Sequence, residues 1–367
     1  MRWSVEKSWE WYNSRPWMRG CNYMSADCAN RIDQWQELGF EERFKTTEEE
    51  LALMQKTGYN TVRLIIEYVV WKEEHDGFME RFERYISLCY KYGMTCMIVL
   101  ANDCMPPKTE RWKMPYVGEQ HYDWGYHGGR KHSQHGLHNK PAPHFYLDEP
   151  ESREDYFRMV TEIVTKYKDD ERICVWDVYN EPGNSLRGEI TLPNLAKMFE
   201  IVRACNPVQP VVCDPLIVSG DESVPLTDIS KFALENSDII CYHSYDEYEI
   251  HLRLIKRLKT YGRPLMCTEW LARCIGNDVF SVFPLFYMEK IGCYNWGFVF
   301  GKYQTYEPWE SNWERYYNGT VTNVDFTKWF HDLYRPSHRP YDPKEIELIQ
   351  RFCKYADEDF ARQNENK

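Results

Sequence analysis

The sequence lacks several features that would each indicate a particular class of protein. No apolar run approaches the ~18 residues of a membrane-spanning helix, so no membrane span is expected. Basic residues are fewer than acidic ones, 45 against 57, which gives a net charge of −12. Nucleic acids and anionic membranes attract basic surfaces, so neither is expected as a partner. What remains is a globular composition, with 43% apolar and 28% charged residues.

A disulfide framework is also missing, although the chain has 13 cysteines. Their number is odd, no two of them form CxxC, and many lie in apolar runs that predict strands. The first residues, MRWSVEKSWEWY, do not have the basic-then-apolar pattern of a signal peptide. Free thiols in a reducing compartment fit these observations, so we expect a cytoplasmic protein.

The apolar pattern predicts a single domain spanning 1–367 with a (β/α)8 fold. Runs without period-2 alternation are typical of parallel strands buried on both faces. Eight such runs are present: 19–24, 61–66, 95–100, 173–179, 210–214, 239–243, 264–268 and 293–298. Helix candidates alternate with them at 47–57, 77–92, 152–167, 193–205, 226–236, 246–260, 277–290 and 325–334. A doubly wound open sheet is the competing fold, but the glycine-rich loops GxGxxG and GxxxxGK[ST] are absent.

Three further segments complete this prediction. The tail at 342–361 reads as one more amphipathic helix, with proline near its start. Long connections follow the third strand, at 102–150, and the eighth, at 300–324. Loops of this length are usually functional, and in a barrel both would leave the face where active sites lie.

Two glutamates lie at the ends of apolar strands. Glu181 follows the fourth strand in VWDVYNEP, and Glu269 ends the seventh in LMCTEW. A carboxylate at the end of a buried strand is costly to desolvate, and burial raises its pKa, as a general acid requires. Helix capping or a structural ion pair is the alternative for each glutamate. As a pair on one rim they match the two carboxylates that glycoside hydrolysis requires.

The order of these motifs resembles that of the clan A glycoside hydrolases, the (β/α)8 group that includes family-5-like cellulase, mannanase and xylanase-related enzymes. The resemblance implies that Glu181 is the acid/base and Glu269 the nucleophile. It also implies substrate-binding or supporting roles for five residues near strand ends: Arg63 in NTVRL, Asn180 in NEP, His243 and Tyr245 in HSY, and Trp296 in NWG. Structural alternatives remain open, namely an Arg63–Asp177 ion pair, a core tryptophan, and a histidine that only supports its neighbours.

The insert after the third strand adds weaker candidates. Asp103 could bind sugar hydroxyls, or it could cap a loop. Trp124 could form a wall for the substrate, since aromatic faces suit sugar rings. Six histidines lie between 121 and 144. They could bind a transition metal, but the stretch is loop-like and HExxH is absent, so we expect a polar loop facing the substrate and no metal.

These observations lead to one expected function and several alternatives. We expect a retaining β-glycoside hydrolase that needs no cofactor and acts in an exo manner on small β-glycosides or oligosaccharides. An endo-acting β-glycanase would use the same residues, and transglycosylation would differ only in the access of water. A metal-dependent barrel hydrolase using the histidine insert and a non-catalytic carbohydrate-binding barrel are the rivals from other classes. The sequence leaves the sugar and the oligomeric state open.

Overall fold

The eight predicted strands form one parallel sheet that curls into a barrel. The computed structural model describes residues 1–104, 115–120, 127 and 146–365. The strands are β1 Arg19–Asn22, β2 Thr61–Ile65, β3 Thr95–Val99, β4 Ile173–Asn180, β5 Val211–Asp214, β6 Ile240–His243, β7 Leu265–Trp270 and β8 Gly292–Trp296. Their order in the sheet is β5-β4-β3-β2-β1-β8-β7-β6, and the two outer strands, β5 and β6, lie against each other. The (β/α)8 prediction is therefore confirmed.

Helices cover the outside of the barrel. They are α1 Val5–Asn13, α2 Arg31–Trp35, α3 Phe40–Thr57, α4 Tyr68–Glu73, α5 His75–Lys91, α6 Pro150–Tyr167, α7 Leu192–Ala204, α8 Asp228–Asn236, α9 Tyr248–Lys259, α10 Val279–Glu289, α11 Glu310–Tyr317 and α12 Pro343–Glu365. Nearly every strand residue is buried, because side chains face either the helices or the barrel interior. No helix in the described part of the chain combines the length and apolar character that a membrane crossing needs.

The bottom of the barrel is closed by apolar side chains and by α1. Ser4 caps this helix by accepting a hydrogen bond from the backbone N–H of Lys7. A separate apolar cluster fills the lower barrel: Tyr12, Met18, Met97, Cys174, Val175, Val212, Ile239, Cys241, Met266 and Tyr294. Since the lower interior is packed with these side chains, polar groups that point inward have room only at the carboxyl ends of the strands.

Two local predictions are wrong, and both concern the chain after β8. No helix forms at 325–334; the backbone there follows the end of the barrel, and Leu333 and Tyr334 both donate from their N–H groups to the carbonyl of Phe298. Their burial explains the apolar pattern that suggested a helix. The connection 300–324, predicted as a loop, contains the short helix α11.

The predicted C-terminal helix is confirmed in α12, which continues to Glu365. It packs between α10 and α3 and so covers the outside of the barrel where no helix forms at 325–334. The insert 102–150 falls largely on residues outside the described ranges.

Candidate active site

Arg63 lies at the centre of a buried polar network inside the upper barrel. It projects from β2, is 1% exposed, and donates hydrogen bonds of 2.6–3.2 Å from its two Nη atoms. The acceptors are Asn22, Asp177, Asn180, Asp214 and Glu269. Both readings of Arg63 from the sequence therefore describe real contacts, since it bonds to Glu269 and to Asp177. A buried cation with this many acceptors holds them in fixed positions.

Glu269 sits on β7 and accepts two hydrogen bonds. Its Oε1 accepts from Arg63 Nη1 at 3.2 Å, and its Oε2 accepts from the hydroxyl of Tyr245 at 2.7 Å. Burial raises the pKa of Glu269, and the nearby Glu181 adds to this; His243 and Arg63 lower it without reversing the direction. The carboxylate is 5% exposed. Two donors therefore fix the position of the carboxylate. The positive charges of His243 and Arg63 stabilise its ionised form, which burial disfavours.

Glu181 follows β4 with a left-handed backbone, at φ 45°, which is uncommon for a residue other than glycine. Its Oε1 lies 2.7 Å from Nδ1 of His243. Its Oε2 accepts from Sγ of Cys104 at 2.9 Å and from Nδ2 of Asn184 at 2.5 Å. Burial raises its pKa, but the hydrogen bond and charge of His243 outweigh this and bring the pKa to about 2. The raised pKa expected from the sequence is therefore wrong for the unliganded site.

His243 is the cation that causes this reversal. It ends β6 and lies between three carboxylates, with distances of 2.7 Å to Glu181, 3.5 Å to Glu269 and 3.8 Å to Asp214. Burial lowers its pKa, but the charge of Glu269, the nearby carboxylate of Asp214 and the hydrogen bond to Glu181 raise it to about 10. At neutral pH the proton of the cluster therefore resides on the imidazole, one hydrogen bond away from Glu181.

The two glutamates lie close together across the rim. Glu181, His243 and Glu269 each offer an oxygen or nitrogen atom within 4.8 Å of the others. In the described part of the chain, this is also the one cluster with the spacing of a metal site. A protonated imidazole cannot coordinate a metal, and Arg63 adds positive charge beside it, so the arrangement suits proton transfer better than metal binding.

These groups open into a pocket of about 1200 Å³. Its wall includes Trp296, which ends β8 and donates from Nε1 to Nε2 of His127 at 2.8 Å. The imidazole of His127 lies nearly parallel to this indole, with ring centroids 5.6 Å apart. The lining residues include Arg31, Cys104, His127, Asn180, Glu181, Asn184, His243, Tyr245, Glu269, Trp296 and Trp309. We call this space the catalytic pocket.

A second space of about 540 Å³ lies beside the catalytic pocket, under the ends of β1, β2 and β8. Arg31, Arg63 and Trp296 line it together with Asn22, Gln34 and Tyr303. Arg31 and Trp296 also line the catalytic pocket, so the two spaces adjoin. We call this second space the side cavity; both polar and apolar side chains line it.

Most of the described residues that were predicted for the site come together on this rim, but Asp103 does not. Asp103 is fully buried and accepts from the hydroxyl of Tyr179 at 2.8 Å and from the N–H of Gly183 at 2.7 Å, and it pairs with Arg187. Its contacts match the loop-supporting alternative. Trp124 lies outside the described residues, as do all the histidines of the insert except His127.

Sequence reasoning missed three residues of the site. Asp214 ends an apolar strand just as the two glutamates do, so the signal was present in VVCD. Cys104 and Asn184 lie in loops, and nothing in the sequence places them beside Glu181. Their contacts depend on how the ends of β3 and β4 lie relative to each other, since the backbone of Asn102 bridges that of Asn180.

Comparison with known families identifies a match over most of the barrel. Residues 29–272 match the model of the family described as cellulase (glycosyl hydrolase family 5). No curated protein sequence matches the chain.

Several solved structures share the fold. An exo-β-1,4-mannosidase from an Opitutaceae bacterium has 15% identity and a TM-score of 0.57 over 94% of this chain and 60% of its own. This chain therefore spans less than two thirds of that protein. A family 5 mannosidase from Rhizomucor miehei has 12% identity and a TM-score of 0.53, over 95% of this chain and 94% of its own. A β-mannanase from the blue mussel Mytilus edulis has 13% identity and a TM-score of 0.51, over 77% of this chain and 86% of its own.

Proposed function

The chain belongs to glycosyl hydrolase family 5 and is a glycosidase, and from this premise we propose that it is a retaining β-glycoside hydrolase. One observation carries the proposal: Glu181 and Glu269 offer carboxylate oxygens within 4.8 Å of each other on one rim. Retaining enzymes hold their two carboxyl groups about 5–5.5 Å apart, whereas inverting enzymes leave about 6.5–9.5 Å for a water molecule.

In this mechanism Glu269 attacks the anomeric carbon while Glu181 protonates the leaving oxygen. The C–O bond to the leaving group breaks, and a covalent glycosyl ester forms on Glu269. Tyr245 donates a hydrogen bond to one oxygen of Glu269 and releases that oxygen as the ester forms. Glu181 then takes a proton from a water molecule, whose oxygen attacks the anomeric carbon. The ester bond to Glu269 breaks, and the sugar leaves with its original configuration.

The first step requires a proton on Glu181, and His243 is positioned to supply it. The imidazole nitrogen lies 2.7 Å from the carboxylate, so the proton moves along an existing hydrogen bond. Binding of a sugar removes water from the site and so disfavours the separated charges of the imidazolium and the carboxylate. We propose that this shift protonates Glu181 when the substrate is bound.

Three further side chains complete the site. Trp296 forms the floor under the ring that is cleaved, with its indole fixed by the bond to His127. Asn180 is held by a 2.6 Å bond from Arg63 to its Oδ1 and is placed to bind the sugar 2-hydroxyl, a contact that strengthens in the transition state. Burial raises the pKa of Glu269, and the charge of Arg63 partly offsets this.

We favour exo action on small β-glycosides. The solved structures named as mannosidases match over nearly the whole chain, whereas the β-mannanase matches over about three quarters of it. An endo-acting enzyme would cut internal bonds of long chains and ignore aryl β-glycosides, so both substrates should be tested together. The free state of all 13 cysteines fits our proposal of a cytoplasmic location.

Azide rescue tests the roles of the two glutamates separately. The Glu269→Gly variant should lose hydrolysis, and azide should restore turnover of an aryl glycoside with a good leaving group, giving the inverted glycosyl azide. The Glu181→Ala variant should lose roughly 10²–10⁴-fold on substrates that need an acid. Azide should then give the glycosyl azide with retained configuration.

Three results would contradict the proposal. Full activity in the Glu269→Ala variant would show that Glu269 is not the nucleophile. Loss of wild-type activity on dialysis against a chelator, with recovery on adding metal, would favour the metal-dependent hydrolase. Tight sugar binding without any turnover by the wild type would leave only a carbohydrate-binding barrel.

A further inference from the structure

The position of Glu181 tells which side of the catalytic pocket receives the leaving group. An acid must reach the leaving oxygen, so the group attached to that oxygen lies on the side of β4, which carries Glu181. The next strand on that side is β5, and the loop after it runs from 215 to 227. This loop therefore forms a wall for the leaving group.

Three consecutive aliphatic side chains of this loop line the catalytic pocket: Leu216, Ile217 and Val218. Ile217 is 66% exposed, so much of its side chain is available to a ligand in the pocket. Its backbone is fixed, because its carbonyl accepts from Ser230 Oγ on α8 at 3.0 Å. The carbonyl of Ser219 accepts from Arg257 at 2.8 Å, so both ends of this aliphatic run are tied to helices.

The neighbouring loop after β4 also carries exposed aliphatic side chains. Leu186 and Ile190 are 54% and 62% exposed there. This loop adjoins α8, since Glu189 accepts from the backbone N–H of Ile229. Exposed aliphatic residues thus lie on two loops that both contact α8, and of these the loop after β5 lines the catalytic pocket.

The opposite side of the pocket has a different chemistry. The side cavity is lined by the polar residues Arg31, Asn22 and Gln34, of which Asn22 donates to the carbonyl of Thr268 and Gln34 to that of Tyr23. A second sugar on the leaving-group side would need polar partners, and the loop after β5 contributes only its three aliphatic side chains to the pocket. The polar Ser244 and Asp246 come from the loop after β6. Asn184 is polar there, but its amide already donates to Glu181.

Resting on the proposed function, we propose that the leaving group is apolar: the enzyme hydrolyses β-glycosides of aliphatic or similarly apolar alcohols, with Leu216, Ile217 and Val218 as the subsite. Burial of a methylene group against these side chains favours binding by up to about 0.8 kcal/mol, or roughly fourfold. Because the same contacts persist while the C–O bond breaks, the gain appears in kcat/KM.

The experiment uses a series of n-alkyl β-glycosides from methyl to octyl, below the micelle concentration of the octyl compound. A panel of nitrophenyl β-glycosides first identifies the sugar, and all later substrates carry that sugar. From propyl onward the acidity of the alcohol hardly changes, so the slope of kcat/KM with chain length measures contact alone. We expect an increase of up to about fourfold per methylene over the first few carbons.

The Ile217→Ser variant should flatten this slope, so that its loss of kcat/KM relative to the wild type grows with chain length from methyl to octyl. The matched control is Val208→Ser, because Val208 is also exposed, at 56%, but precedes β5 at the other end of the barrel. A flat wild-type series would overturn the inference, as would an equal loss on methyl and octyl glycosides in Ile217→Ser or preferential cleavage of a disaccharide. If no nitrophenyl glycoside is cleaved, the proposed function itself fails.

Discussion

At the scale of single residues, the site depends on where one proton resides. His243 and Glu181 share a 2.7 Å hydrogen bond, and in the unliganded site the imidazole holds the proton because its pKa is raised to about 10. Glu269 must be ionised to attack, and burial raises its pKa. Activity should therefore fall as the pH drops through the pKa of Glu269, and fall again when the shared proton is lost at alkaline pH.

The His243→Ala variant tests this arrangement. Without the imidazole, Glu181 must hold the proton alone, while Cys104 and Asn184 still donate to its ionised form. The alkaline limb of kcat/KM should move to lower pH, and the maximal rate on substrates that need an acid should fall on the order of 10²-fold. A pH profile measured with an alkyl glycoside checks both effects.

A dinitrophenyl glycoside provides the control in the same variant, because its leaving group departs without a proton. Its alkaline limb should be the same in wild type and variant. If the alkyl glycoside also keeps the wild-type alkaline limb in His243→Ala, then His243 does not supply the proton.

The sequence predicted which residues meet at the site better than what state they are in. Glu181 and Glu269 could be placed because they lie at or just after strand ends, and parallel strands in a barrel end on one rim. Arg63, which lies within β2, and Tyr245 were predicted from the family resemblance. The lowered pKa of Glu181 could not be predicted, because it depends on a 2.7 Å contact with a residue 62 positions away. A one-ångström difference in strand stagger would change that contact without changing the sequence pattern.

At the scale of secondary structure, burial explains both the correct and the wrong predictions. The eight strands were predictable because both faces are covered, which leaves continuous apolar runs. The segment 325–334 has buried Phe330 and Leu333 at helical spacing, yet it runs along the rim with no helix. Apolar spacing over ten residues cannot distinguish a helix from an irregular segment that packs on a barrel.

The helix α3 carries a buried carboxylate that should make stability depend on pH. Glu50 is 1% exposed and accepts from the hydroxyl of Tyr23 at 2.7 Å and from the N–H of Ala26 at 3.2 Å. Burial raises its pKa to about 8, above its ordinary value of 4.5. The folded state thus binds this proton more tightly than the unfolded state, so the stabilisation is complete below pH 4.5 and is lost as the pH rises to 8.

We expect the Glu50→Gln variant to remove this dependence. In the wild type, the free energy of unfolding should fall by up to about 1.4 kcal/mol per pH unit between the two pKa values because of this group. Glutamine cannot ionise, so the variant should be less stable than the wild type at pH 5 and lose that disadvantage by pH 9. Urea denaturation at several pH values measures the difference.

The Glu48→Gln variant on the same helix is the control for this comparison. The hydrogen bond from Lys91 lowers the pKa of the exposed Glu48, so its stabilisation is lost at acidic pH only. A difference between wild type and Glu50→Gln that stays constant from pH 5 to 9 would show that Glu50 does not titrate in this range.

At the scale of the whole molecule, α12 decides whether the chain is one cooperative unit. Its ion pairs connect distant parts of the barrel: Glu345 pairs with the buried Arg273 just after β7, and Asp357 pairs with Arg19 in β1. Ile349 is fully buried in the main core cluster between them. A helix attached at three such points should not unfold alone.

The Ile349→Ala variant tests the prediction that 1–367 is a single domain. Removing this side chain should cost about 2–5 kcal/mol and lower the melting temperature by roughly 5–15 °C. Because α12 packs on α3 and α10, far from the catalytic pocket, kcat/KM at 25 °C should stay unchanged.

The exposed Glu347 on the same helix provides the control variant Glu347→Ala, which should melt within about 2 °C of the wild type. If the chain is one unit, loss of activity and loss of near-ultraviolet circular dichroism shift together in Ile349→Ala; activity that survives a separate early transition would mean that α12 unfolds without the barrel.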